Sequence, residues 1–429
     1  MAVSSFAGSF TMNASTGNQS VTGLGFQPKI IFFWSDGSTA DGTGVNIQGT
    51  HGIAVSATDR RCVGYSTPDN NSPGSGGNML AGHYTDRIIR FCRLNGDTAA
   101  LREADFVSMD ADGFTINIGT TDGTQSIVNY CAYGGDDITN VKTGQFQQPG
   151  STGNTAYTGI GFQPDCLIYF RGRSTGTAPS ATGNSPPRAS WGFATSASAR
   201  GVLTTQLRAT GSAFTAKTYQ RTTKVVAGMG NSDTVQEEAD LVSFDADGFT
   251  LNWSTTSVNV YVFYAVMKGG QYKVGSFNQA TGTGNQATTG VGFQPASIFL
   301  VSSNKATDSA VNADCRITIG AASSTSQRAT SWHGQDDGTT NSDNAHALDR
   351  DETIQMYTEP TPTLNAEGDL VSLDSDGFTL NWSTADATAR EILYLAIGSL
   401  AVAGGQPIAR RVSTIPFLGG SLRQAVLNR

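Results

Sequence analysis

The sequence predicts an all-β fold: three tandem antiparallel β-sandwiches of jelly-roll type, followed by a C-terminal arm. Three observations predict it. One block is written three times, since Thr22 to Pro28 (T-G-L-G-F-Q-P) returns at Thr158 to Pro164 and at Thr289 to Pro295. Phe26, Phe162 and Phe293 are therefore 136 and 131 residues apart, too long for a solenoid repeat and the size of a domain. The chain of 429 residues holds 51 glycines and only 14% charged residues, with abundant Ser, Thr and Asn, the composition of short strands joined by turns. No amphipathic stretch is long enough for the crossover helices of a parallel sheet, apart from a short turn at 418–427.

Two further blocks keep the same register. Glu103, Asp105, Asp110, Asp112, Gly113 and Phe114 recur as Glu238, Asp240, Asp245, Asp247, Gly248 and Phe249, then as Glu367, Asp369, Asp374, Asp376, Gly377 and Phe378. An apolar segment with small residues closes each copy, at Tyr130 to Gly135, Tyr264 to Gly270 and Tyr394 to Gly398. The boundaries that follow are 1–136, 137–270 and 271–403 for the repeats and 404–429 for the arm. A copy of this size buries about two thirds of its unfolded surface and can hold its own core.

Each copy opens with a short strand ending in Phe10, Phe146 or Phe277, then a Gly-Asn turn. The Gly-Phe-Gln-Pro corner comes next: Gly permits the bend, Phe26, Phe162 and Phe293 anchor it, and Pro28, Pro164 and Pro295 hold the preceding Gln extended at a strand entrance. The strand it launches is apolar without alternation, as in Ile30 to Trp34, Cys166 to Phe170 and Ile298 to Val301. Such a strand is buried on both faces, against its own core and against a neighbouring copy or subunit. After a variable loop comes G-x-A-x-S, followed by Arg60, Arg200 and Arg328, and after a second variable region the acidic block supplies two strands. Seven or eight strands per copy result. Short connections, 135–144 and 270–275, predict three domains packed against one another rather than strung as beads.

The net charge is −8, while the last residues carry Arg410, Arg411, Arg423 and Arg429 without an acid. An acidic body argues against a nucleic-acid surface. The five cysteines show no CxxC pair and do not recur between copies, so neither a disulfide nor a zinc framework is expected, and a reducing compartment suits the chain. No signal peptide or membrane span is expected.

The paired carboxylates of Asp110 and Asp112 could begin a calcium loop, but the later ligands are missing. The hairpin reading is preferred: Asp112, Asp247 and Asp376 cap a turn and Gly113, Gly248 and Gly377 take its left-handed position. The Glu-x-Asp pairs (Glu103/Asp105, Glu238/Asp240, Glu367/Asp369) are the minimal inventory of a glycosidase. The preferred reading is a solvated rim, or acids paired with the Arg of their own copy. The four histidines, His51, His83, His333 and His346, do not recur and read as surface or loop residues. No catalytic, cofactor or metal site is expected.

In the variable loops, repeat two presents Arg171, Arg173 and Arg188, and repeat three presents Asp336, Asp337 and Asp343. Two readings are open: a contact between copies or subunits, or two solvated loops. The arm, with Arg410, Arg411 and Arg423 among apolar residues, is either a docking arm or a disordered end.

Taken together, T-G-[LIV]-G-F-Q-P, the apolar strand, G-x-A-x-S and E-x-D-[FL]-V-S-x-D-x-D-G-F-T resemble a repeat domain of tailed-bacteriophage and prophage virion proteins. The stretch His51 to Cys62 is the most similar; Gly368 and Ser399 depart from the pattern. The resemblance implies a non-enzymatic virion component, tail-associated or decorating the capsid, assembled in the host cytoplasm and partnered by itself and other virion proteins. It transfers no catalytic residue. The alternative is a host-surface glycan-binding protein using loops 35–45, 67–82, 171–189 and 333–349.

Overall fold

The computed structural model describes residues 2–72, 78–172, 181–184, 187–209, 213–230, 232–257, 260–306, 310–324, 326–336, 341–358 and 362–401. Among them the chain is all-β, with antiparallel sheets throughout and no α-helix. Repeat one contributes eleven strands, more than the seven or eight expected: β1 (Ser4–Thr11), β2 (Gly17–Thr22), β3 (Pro28–Ser35), β4 (Gly42–Val45), β5 (Ile47–Ala54), β6 (Arg60–Thr67), β7 (Leu80–Tyr84), β8 (Ile89–Cys92), β9 (Ala100–Asp110), β10 (Gly113–Thr120) and β11 (Ile127–Gly134). Repeats two and three follow the same plan as β12–β22 and β23–β33. The short links and variable loops hold the strands that composition did not reveal.

Each repeat builds a large and a small sheet. In repeat one the order is β1-β11-β3-β5-β6-β7 in the large sheet and β2-β10-β9-β8 in the small one. Phe33, Phe91, Phe114 and Tyr130, drawn from both sheets, belong to one buried cluster. The other two repeats have the equivalent clusters around Phe249 and Phe378.

A fourth cluster is common to all three repeats, and β3 shows why its strand has no polar face. Ile31 and Phe33 point into the core of repeat one, whereas Ile30, Phe32 and Trp34 point into the shared core. In the second repeat Leu167 and Tyr169 alternate in the same way with Cys166, Ile168 and Phe170, and in the third Ile298 and Leu300 alternate with Phe299 and Val301. Phe32, Ile168 and Phe299, at one equivalent position, meet at the centre beside Trp191. At roughly 25 cal/mol per Å² of apolar surface removed from water, this second face contributes as a core does, not as a contact between finished domains.

The sheets do not respect the repeat boundaries. β15 (Ala181–Asn184) of repeat two pairs with β7 of repeat one. β26 (Asn312–Ala313) of repeat three pairs with β18 (Phe214–Arg221) of repeat two. β4 of repeat one pairs with β29 (Asn344–Asp349) of repeat three. Each large sheet thus has a seventh strand donated by the next repeat, and the exchange is cyclic. One, two and three form a closed ring.

The ring has two unlike ends. β3 runs from Pro28, beside Gly134, to Ser35, beside Thr50, so the Gly-Phe-Gln-Pro corners lie at one end and the donated strands at the other. The described termini share the corner end, where Val3 N–H donates to Ser399 Oγ at 2.9 Å and Leu400 N–H to Asp137 Oδ2 at 2.9 Å.

Candidate interaction surfaces

Two motifs far apart in sequence meet at each corner. The Asp112 carboxylate accepts the amides of Gly23 at 3.1 Å and Gly25 at 2.5 Å; Asp247 accepts those of Gly159 and Gly161; Asp376 accepts those of Gly290 and Gly292. The amides of Gly161 and Gly159 hold the Asp247 carboxyl below the usual carboxylate range. Gln27, Gln163 and Gln294 each donate to the carbonyl just before the first Asp, at Met109, Phe244 and Leu373. That first acid is engaged as well: Ser108 and Thr115 donate to Asp110, with the same pair of hydroxyls on Asp245 and on Asp374.

Gly113 (φ 151), Gly248 (φ 155) and Gly377 (φ 151) lie in the region disfavoured for L side chains, and a Cβ on each would sit 1.9 Å from a backbone oxygen, that of Val21, Tyr157 and Thr288 respectively. The whole motif is therefore a lock between a turn and a corner. Its acids accept hydrogen bonds from their own chain, which supports the turn reading over the calcium reading.

Among the described residues, ion pairs reach the Glu-x-Asp acids of repeats one and two but not those of repeat three. Arg60 pairs with Asp105, and Arg87 and Arg90 pair with Glu103. Arg200 and Lys224 pair with Asp240, at 3.1 and 2.9 Å. In the third repeat the expected Arg328 is displaced: the hairpin is one residue tighter, and Gln327 faces Ala322 as Arg60 faces Ala54. Gln327 donates to Asp369 at 2.7 Å, and Arg328 reaches Ser9 of repeat one at 3.0 Å.

Glu352 precedes Thr353 and Ile354 as Arg87 precedes Ile88 and Ile89, so the position carries the opposite charge. Burial, then the charges of Asp369, Glu367 and Asp349, push the Glu352 carboxyl up to about 9.

Arg171 of the basic loop and Asp336 of the acidic loop each pair elsewhere. Arg171, at the end of β14 (Cys166–Arg171), is fully buried and ion-paired with Glu237 of its own repeat, which corrects its reading as a loop contact. Arg188 is buried in β16 (Arg188–Ala194), with Nε donating to Gln206 at 3.1 Å. Asp336 does bridge two repeats, but its partners are Lys217 and the amide of Ala216. Asp343 is half-buried, its carbonyl accepting the Gln335 amide at 2.9 Å. Arg173, Asp337, Arg410, Arg411 and Arg423 lie outside the described residues.

The histidines correct the surface reading. His51, His83 and His333 are buried, while His346 is half-buried. His51 accepts the indole N–H of Trp191 at 3.0 Å, is 3.1 Å from Tyr65 Oη, and lies against Trp332, so it joins all three repeats. Burial lowers His51 to about 3, His83 to about 4 and His333 to about 3, leaving each neutral at physiological pH.

The variable loops are also less free than their composition implied. Parts of 35–45, 171–189 and 333–349 are strands that cross or accept between repeats, and Asn70, Asn71 and Ser342 interlock repeats one and three by backbone hydrogen bonds of 2.7–2.9 Å. The only sequence signal for this was the Gly-Thr content of the donated strands, which turns share.

No protein-family model matches the chain, and no curated protein matches it.

Proposed function

We propose that the chain is a non-enzymatic structural component of a tailed-bacteriophage virion, tail-associated or capsid-decorating, as its motif set suggests. The observation that carries the reading is the cyclic strand exchange, which makes three repeats one closed ring with both described termini at one end. A rigid body with its C-terminal exit at one end and its exchange loops at the other suits a part attached on one side to a larger symmetric assembly.

The residues that would serve catalysis have other work. Glu103, Asp105 and Asp240 are held by Arg and Lys, Glu238 accepts the Tyr219 hydroxyl, and the Asp-x-Asp-Gly acids are held by amides and hydroxyls. For the glycan-binding alternative the support is thinner, because β4, β15 and β29, which lie in the described parts of these loops, pair between repeats, and no aromatic side chain among the described residues stands exposed for stacking on a sugar.

Mass spectrometry and immunogold labelling of purified phage particles test the proposal. The expected result is the full chain at stoichiometric abundance with label at one virion position. Its absence from intact particles overturns the reading.

A further inference from the structure

Each small sheet has two edges, and the two are built differently. At one edge lie β8, β19 (Val226–Met229) and β30 (Ile354–Thr358). β8 and β19 are buried throughout, as are residues 354–356 of β30, and a bulge interrupts the ladder of each strand with its neighbour. Cover and bulges are the usual protection of a sheet edge. At the other edge lie β2, β13 (Gly153–Thr158) and β24 (Gly284–Thr289), in unbroken register with β10, β21 (Gly248–Thr255) and β32 (Gly377–Thr384). Their sequences, G-N-Q-S-V-T, G-N-T-A-Y-T and G-N-Q-A-T-T, hold no charge and no proline.

Among the described residues each of these strands pairs on one side only. Gly23 N–H donates to the Asp112 carbonyl at 3.1 Å, and the alternation of an antiparallel ladder then turns the backbone groups of Asn18, Ser20 and Thr22 outward. Their equivalents are Asn154, Ala156 and Thr158, then Asn285, Ala287 and Thr289, and all nine residues are exposed. The large sheets turn one face to the shared core, so the small sheets, packed on the other face, stand on the outside of the ring. Three bare edges therefore face away from the axis, one per repeat.

We propose that these are self-association edges: β2, β13 or β24 of one copy pairs with β2, β13 or β24 of a second copy, joining two small sheets into one. A bare edge takes an extended backbone, and the near-identity of the three strands makes each edge of one copy a match for each edge of another. With no charge on either strand, no like-charge repulsion opposes the pairing. The ladders of these strands are antiparallel, and the same polarity between like strands makes the contact isologous. The pairing does not depend on the virion reading.

Sedimentation of the full chain over a range of concentrations tests this, beside two triple variants, S20P/A156P/A287P and S20K/A156K/A287K. Proline removes an outward N–H that the existing ladder does not use, and lysine adds the charge that protects natural edges. The wild-type mass is expected to rise to at least twice that of one chain as concentration increases, with hydrogen exchange at Asn18, Ser20 and Thr22 slowing several-fold. Both variants are expected to keep the mass of one chain and the wild-type melting temperature; should the proline variant unfold, the lysine variant decides alone. A wild-type chain that stays single throughout overturns the proposal, as does association that survives in the lysine variant. Slow exchange at these amides in purified particles, without association of the free chain, overturns it in favour of another protein's strand.

Discussion

Trp191 of the second repeat donates its indole N–H to Nδ1 of His51 of the first, at 3.0 Å, and the imidazole is fully buried between them and Trp332. A protonated ring could not accept that bond. His51, His83 and His333 have folded pKa values of about 3, 4 and 3, below the ordinary 6.5, so the unfolded chain binds more protons between those values. Stability is then complete above pH 6.5 and lost as pH falls toward 4. Melting temperature measured from pH 8 to pH 4 is expected to drop steadily below 6.5. In His51→Phe the drop should be shallower, with a cost at pH 7 of about 1–3 kcal/mol for the orphaned indole.

The corner lock predicts a graded response. Gly113→Ala places a Cβ against the Val21 carbonyl at a φ of 151 and should cost roughly 3 kcal/mol or more. Asp112→Ala removes two amide acceptors and should cost about 1 kcal/mol. Denaturant titration checks the order; equal losses would mean the carboxylate, not the backbone, governs the turn.

Arg171 and Glu237 form a buried pair with no counterpart in the other repeats, where Ser35 and Ser302 stand in place of the arginine. Arg171→Ala leaves a buried carboxylate unpaired and should cost about 3–5 kcal/mol. The double change Arg171→Met with Glu237→Leu should recover most of that loss. A double variant as unstable as the single one would show that the pair stabilises by itself.

Glu352 offers the opposite sign. Its folded pKa of about 9 exceeds the ordinary 4.5, so its contribution is present below 4.5 and is lost as pH rises toward 9. Glu352→Gln should raise the melting temperature at pH 8 and leave it almost unchanged at pH 4. Glu352→Lys, which restores the charge of Arg87 and Lys224, should raise it further.

The shared core predicts that no repeat is self-sufficient. Residues 1–136 expressed alone would expose Phe32 and Trp34 and lack a donor for the edge of β7. Self-association is expected in sedimentation, as trimers or larger species. A stable monomer with native-like melting would contradict the fused-core description.

Much of this architecture could be read from residues. The unalternating Ile30 to Trp34 strand announced two buried faces, and the joint recurrence of Gly-Phe-Gln-Pro with Asp-x-Asp-Gly is the trace of the Asp112 to Gly25 bond. The strand exchange could not be read, because Gly42–Val45 and Ala181–Asn184 are short, Gly-rich and without an apolar face. Gln327 was missed because the loop before it had shortened by one residue, which shifts Arg328 to the opposite face of its strand. His51 and Arg171 were misjudged for another reason: a polar residue reveals its burial only through its partners, and those lie in distant parts of the chain.

The covalent joining of the repeats changes what can stand on the axis. Three identical subunits must present one residue three times around a threefold centre, so a histidine there would face two more histidines. Here the equivalent positions hold His51, Trp191 and Ile319, an acceptor, a donor and an aliphatic group. Each third of the ring can therefore diverge one residue at a time, and a change at one seam leaves the other two as they were.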